Sequence, residues 1–152
     1  MSEFLLSVVG NKALSCREYL GRTPLHYSAQ QGHIEICKLI IDKVDDKNPS
    51  NDNGWTPLHS AAFMGHLDVS EFIMNNLENK NPQNNFGWTP LHTAAKRGHL
   101  SVCKVLMENI QDKMPVTHDG KTPAMLALEN GHSEVSWFII NYKMSKKSQK
   151  KI

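Results

Sequence analysis

Eight histidines and three cysteines carry the widest chemical repertoire in this 152-residue chain, because imidazole and thiolate can ligate metals, move protons or act as nucleophiles. Their spacing argues against all three uses. His26, His59 and His92 lie 33 residues apart, and His33, His66, His99 and His132 form a second series of the same period, each directly after a glycine. A catalytic or zinc-binding histidine would be singular, with cysteine or carboxylate partners at ligand spacing. Repetition points to architecture instead, and only His118 falls outside both series. Cys37 and Cys103 share a position with Ser70 and Ser136, a slot that asks for a small side chain rather than a thiolate, while Cys16 stands alone. Three cysteines without paired spacing or a secretory signal imply a reducing compartment. A glycine-rich phosphate loop, a nucleophile elbow and a Glu-flanked histidine pair are all missing. The chain therefore reads as non-enzymatic, with no catalytic, cofactor-binding or metal-binding residues expected.

The elements that must position these residues follow from the same period. Thr-Pro-Leu-His occurs from Thr23, from Thr56 and from Thr89, and a fourth copy reads Thr122-Pro-Ala-Met125. In each copy the threonine is a suitable N-cap and proline follows at the first helical position, where its missing N–H costs nothing. Leu58, Ala61 and Ala62 then fall at i, i+3 and i+4, a narrow apolar stripe whose alanines admit a close neighbour, and Gly65 ends the helix. A second helix follows, with Leu67, Ile73, Met74 and Leu77 on one stripe and Val69 and Phe72 on another. Two apolar sides suit a helix that touches both its partner and the next copy. Polar, turn-rich stretches at 45–54, 78–87 and 111–120 separate the helix pairs and predict projecting loops or short hairpins.

The recurring Gly-x-Thr-Pro-Leu-His, Ala-Ala and Gly-His at a 33-residue period resemble the ankyrin-repeat family along almost the whole chain. The resemblance implies an all-α solenoid, an array of stacked helix pairs with projecting hairpin loops. It also implies that the motif histidine ties neighbouring loops by hydrogen bonds. Some family members are hydroxylated on a hairpin asparagine that aligns here with Asn48 and Asn81, with Met114 in the third copy. One departure is systematic. Where the family has glycine after the second helix, this chain has Val44, Leu77 and Ile110, which are expected to tuck into the core and close the helix differently.

The boundaries read as an N-terminal half repeat at 1–20, repeats at 21–53, 54–86 and 87–119, a capping repeat at 120–142, and a basic tail at 143–152 expected to be disordered. Phe4, Leu5, Leu6, Val8 and Val9 look like the second helix of a unit without its first. That opening segment carries Glu3 and does not have the form of a signal peptide, and no later run approaches a membrane span, so a soluble cytoplasmic or nuclear protein is expected. The formal charge of +2 rests on five lysines between Lys143 and Lys151; without them, 12 basic side chains face 15 acidic ones. A repeat body of net −3 offers no broad basic face for duplex DNA.

Function must then lie in a surface. In such arrays the concave face is lined by loop tips and the exposed side of each first helix. The residues there include Tyr19, Arg22, Trp55, Phe63, Met64, Phe86, Trp88, Lys96, Arg97 and Lys121. Tryptophan, phenylalanine and methionine are enriched in the desolvated cores of protein interfaces. Phe63 and Met64 stand where the family is usually polar. The chain is thus expected to be an adaptor or inhibitor that holds a partner protein of unknown identity, with Lys96 and Arg97 as cationic flank. Two alternatives stand beside this one: a homo-oligomerisation module using the apolar N-terminal stack end, and a nuclear regulator directed by the lysine tail.

Overall fold

The computed structural model describes the backbone of residues 16–150 and the side chains of 16–142. The apolar half repeat expected at the N-terminus lies outside these residues, apart from a single 3-10 turn at Tyr19–Gly21. Four helix pairs follow: α1 (Pro24–Gln31) with α2 (Ile34–Lys43), α3 (Pro57–Met64) with α4 (Leu67–Asn75), α5 (Pro90–Arg97) with α6 (Leu100–Asn109), and α7 (Pro123–Glu129) with α8 (Ser133–Lys150). The first helices stack α1 on α3 on α5 on α7, the second helices stack α2 on α4 on α6 on α8, and each pair also packs internally. Among the described residues the element order contains no strand. The fold is an all-α solenoid.

Each first helix starts as its sequence dictates. Thr56, in extended conformation, accepts from His59 N, and Pro57 opens the helix. The stripe then buries completely: Leu58, Ala61 and Ala62 have no exposed surface, and neither do Leu91, Ala94 and Ala95 one repeat on. Gly65 closes α3 at φ 77°, and a Cβ built on it would lie 2.6 Å from Nδ1 of His99 in the next repeat. The glycine is thus required twice, once by the left-handed turn and once by the ring seated on it.

The motif histidines use both ring nitrogens. Backbone N–H groups of Thr23, Thr56 and Thr89 donate to Nδ1 of His26, His59 and His92 at 3.0–3.2 Å. Since Nδ1 accepts, the proton sits on Nε2, which donates to the carbonyls of Trp55 (2.9 Å), Trp88 (2.8 Å) and Lys121 (3.0 Å) in the following hairpins. Two glycine-linked histidines add bridges through Nε2 alone, which donates to the Gln30 carbonyl from His66 and to the Phe63 carbonyl from His99. Hairpin tips are stitched directly, with Asp52 N donating to Leu20 O, Asn85 N to Asn53 O and His118 N to Phe86 O.

The second helices close as a lysine clamp. Val44 and Ile110 cap α2 and α6 in extended conformation and are buried. Leu77 differs from its expected helical place: α4 stops at Asn75, and Leu77 lies two residues beyond, half-buried against the core. The orphan carbonyls are met by side chains spaced 33 residues apart. Lys47 Nζ donates to Ile41 O (2.7 Å) and Val44 O (2.9 Å), Lys80 Nζ to Met74 O (2.9 Å) and Leu77 O (2.7 Å), and Lys113 Nζ to Ile110 O. A cation at a helix C-terminus also suits the macrodipole.

The last repeat differs from a polar cap. Ser136 fills the buried slot of Cys37, Ser70 and Cys103, while Leu128, Trp137 and Ile140 are exposed on the outer side. The backbone of α8 runs through the lysine-rich segment to Lys150. Neither proline nor glycine interrupts 133–152, and lysine and glutamine are good helix formers.

The buried imidazoles make stability depend on pH. Burial is the first cause that lowers the pKa of His26, His59 and His92, and for His59 the value falls from 6.5 to about 4. Between these limits the unfolded chain binds more protons than the folded one, so stability is full above pH 6.5 and drains away toward pH 4. For His59 alone the loss is on the order of 3 kcal/mol. The melting temperature is expected to be flat above pH 7 and to drop steeply between pH 6 and 4.5; a flat profile through that window would contradict the neutral-imidazole bridge. The clamp is tested separately. Lys80→Met should lower the urea midpoint, with a loss of about 1–2 kcal/mol for a part-buried charged hydrogen-bond donor.

Candidate interaction groove

Hairpin and first helix together decide which side chains face the concave side. In the second hairpin the Asn51 Oδ1 accepts from Asn53 N and Trp55 N, both at 2.9 Å, and in the third the Asn84 Oδ1 accepts from Phe86 N and Trp88 N, both at 2.9 Å. These amides hold the tips in shape and aim each tryptophan back over its own helix. Trp55 Nε1 donates to Ser60 Oγ (2.8 Å), and its ring packs on His59 at 5.2 Å and edge-on to Phe63 at 5.9 Å. Trp88 lies 6.1 Å from the His92 ring.

The result is a groove of about 550 Å³ across the first three repeats. Arg22, Trp55, Phe63, Met64, Phe86, Trp88 and Lys96 all line it. Phe86 is 60% and Met64 42% exposed, so the groove opens to solvent. Two cations rest on its aromatic walls, Lys96 Nζ 5.2 Å from the Trp88 ring centre and Arg97 Cζ 4.7 Å from that of Phe63. Arg97 itself sits just outside the lining.

The other expected residues are not brought in. Tyr19 is 79% exposed on the 3-10 turn, and Lys121 pairs with Glu129, which raises its pKa. Asn48 has a fold role, its Oδ1 accepting from Leu58 N at 3.1 Å, and the Asn81 N–H donates to Asn79 Oδ1. Leu20, Gln30, Asn51, Asn53, Ser60 and Asn84 also line the groove without being among the expected binding residues. Asn51 and Asn84 carried a signal, since they share a hairpin position 33 residues apart.

Two of the three cysteines are buried, and Cys16 is exposed. Burial pushes the Cys103 thiol up to about 12 and raises Cys37 as well, so both stay protonated at neutral pH. Among the described residues, groups of three or more His, Cys, Asp or Glu that could hold a metal ion are lacking, and no helix is long and apolar enough to cross a membrane.

A family model for ankyrin repeats (3 copies) matches residues 2–83 and again 70–150. The chain belongs to the ankyrin-repeat family. No curated protein matches it. Five histidines of the two series, His26, His59, His66, His92 and His99, bridge to a backbone carbonyl of a neighbouring repeat in this ankyrin array.

The tryptophans carry fold and groove at once, whereas Phe86 and Met64 carry little of the fold. Trp55→Ala should therefore lower the melting temperature by several degrees, with about 2–4 kcal/mol lost from a half-buried, hydrogen-bonded aromatic. Phe86→Ala should leave it within about 1 °C. Thermal melts of both variants check the division, and equal losses would place Phe86 in the core.

Proposed function

We propose that this ankyrin array is a non-enzymatic scaffold, an adaptor or inhibitor, that holds an extended segment of another protein in the groove across its first three repeats, centred on the second and third. Ankyrin repeats are protein-interaction scaffolds, and stacked repeats offer a long concave surface with fixed side-chain spacing. The observation that carries the reading is the exposure of Phe86 and Met64 beside Trp55, Phe63 and Trp88. Stacking does not need to cover Phe86 or Met64, and aromatic and thioether surface of this kind dominates interface cores. Fixing the tips by Asn51 and Asn84 lowers the ordering cost of binding.

The test is selection of ligands from a random-peptide display library on the folded protein. Phe63→Ala and Phe86→Ala are each expected to weaken the selected ligands by about tenfold or more, the usual cost of losing a buried interface aromatic. Selected ligands that bind both variants at full strength would remove the groove from the function.

A further inference from the structure

The groove is chemically one-sided. Its two charged lining residues are both cations, Arg22 in the first repeat and Lys96 in the third, and no carboxylate lines it. This stands against a repeat body of net −3. Among the neutral polar groups, Asn51 and Asn84 lean the same way. Asn51 and Asn84 have their oxygens occupied by two backbone N–H groups each, and neither amide nitrogen has a partner among the described residues, so each presents Nδ2 donors at the groove wall. Gln30 Oε1 is taken by Arg22, and Ser60 Oγ by the Trp55 indole. Arg22 Nε is buried without a partner. Among the described residues, Asn53 is the one lining side chain whose amide oxygen no other group claims, so the one-sidedness lies in the two cations and the Asn51 and Asn84 donors, with exposed Met64 and Phe86 between the cations.

We infer that the occupant of the groove is an extended peptide with an apolar side chain flanked on both sides by aspartate or glutamate; this rests on the groove being the binding surface. The carboxylates meet Arg22 at one end and Lys96 at the other, the Nδ2 donors of Asn51 and Asn84 meet backbone carbonyls, and the apolar residue sits against Met64 and Phe86. The spacing follows from the stack. Packed helices lie about 8–10 Å apart, so two repeats span about 16–20 Å, and an extended chain covers that in about five or six residues at about 3.3 Å each. Attraction between a cationic groove and anionic ligand acts on association rate and falls with salt.

The probe is a synthetic, fluorescein-labelled peptide with two glutamates about six residues apart and a leucine midway, compared with versions in which both glutamates become glutamine or lysine. Fluorescence anisotropy is expected to show the glutamate peptide binding about tenfold or more tightly than either control, with a Kd that rises as NaCl increases. Lys96→Glu should lose that preference and gain affinity for the lysine peptide, a rescue that mere unfolding would not give. Glutamine or lysine peptides that bind the wild type as tightly, yet fail on Phe86→Ala, would overturn the acidic assignment and leave the groove intact. Absence of binding by every peptide would overturn the assignment too, and together with display ligands indifferent to Phe86→Ala it would remove both readings. A single-stranded oligouridylate that binds the groove as tightly as the glutamate peptide would replace the peptide with a nucleic acid.

Discussion

A neutral imidazole offers one acceptor and one donor on opposite sides of a rigid ring, and this array spends both on holding one repeat to the next. Nδ1 of His59 takes the Thr56 N–H at the start of its own helix, and Nε2 gives its proton to the Trp88 carbonyl in the following hairpin. No other neutral side chain bridges those two groups with so little rotational freedom. Protonation would put a donor on Nδ1 facing another donor, and burial would penalise the added charge. Local helix capping and long-range stacking are therefore one interaction, repeated at His26 and His92.

That bridge also sets the groove. The carbonyl it grips belongs to the residue whose side chain forms the groove wall, Trp55 after His26 and Trp88 after His59. Backbone position is fixed from below by the imidazole and from the side by Asn51 or Asn84, which leaves each indole little choice but to lie over its own first helix. A surface that must stay exposed is thus held by contacts that stacking needs in any case. Preorganisation of this sort comes without extra burial, and it lets Met64 and Phe86 remain open to a partner.

Period and helix caps were legible in the sequence because each repeat restates them: Thr-Pro starts, alanine stripes and glycine stops all appear where the structure has them. The lysine clamp was missed for a physical reason. A lysine four or five residues past a helix end looks like any solvated turn residue, and only the 33-residue recurrence of Lys47, Lys80 and Lys113 beside proline-containing turns marks it out. Seven of the ten expected binding residues share one groove, since position after the hairpin glycine or near the end of the first helix determines the facing side. Tyr19 fell outside because it points to solvent from the 3-10 turn while its neighbours Leu20 and Arg22 line the groove, and Lys121 because Glu129 of its own repeat engages it. The asparagine donors were invisible as such, because an amide's free end depends on which backbone groups claim its oxygen.

The clamp and the missing cap glycines are two halves of one exchange. A glycine at the helix end would turn the chain in the left-handed region and satisfy the last carbonyls through backbone N–H groups. Val44 and Ile110 instead leave in extended conformation, which points their side chains into the core but leaves carbonyls without donors. Burying a Val or Ile side chain gains about 1.5–3 kcal/mol, and each uncompensated carbonyl would cost about 1–3 kcal/mol, so apolar burial alone would come out near zero. The ammonium of Lys47 or Lys113 tips the balance by donating to carbonyls at the helix end. Valine or isoleucine at the cap and lysine three residues on therefore act as one device, the lysine donating to carbonyls that the extended exit leaves open.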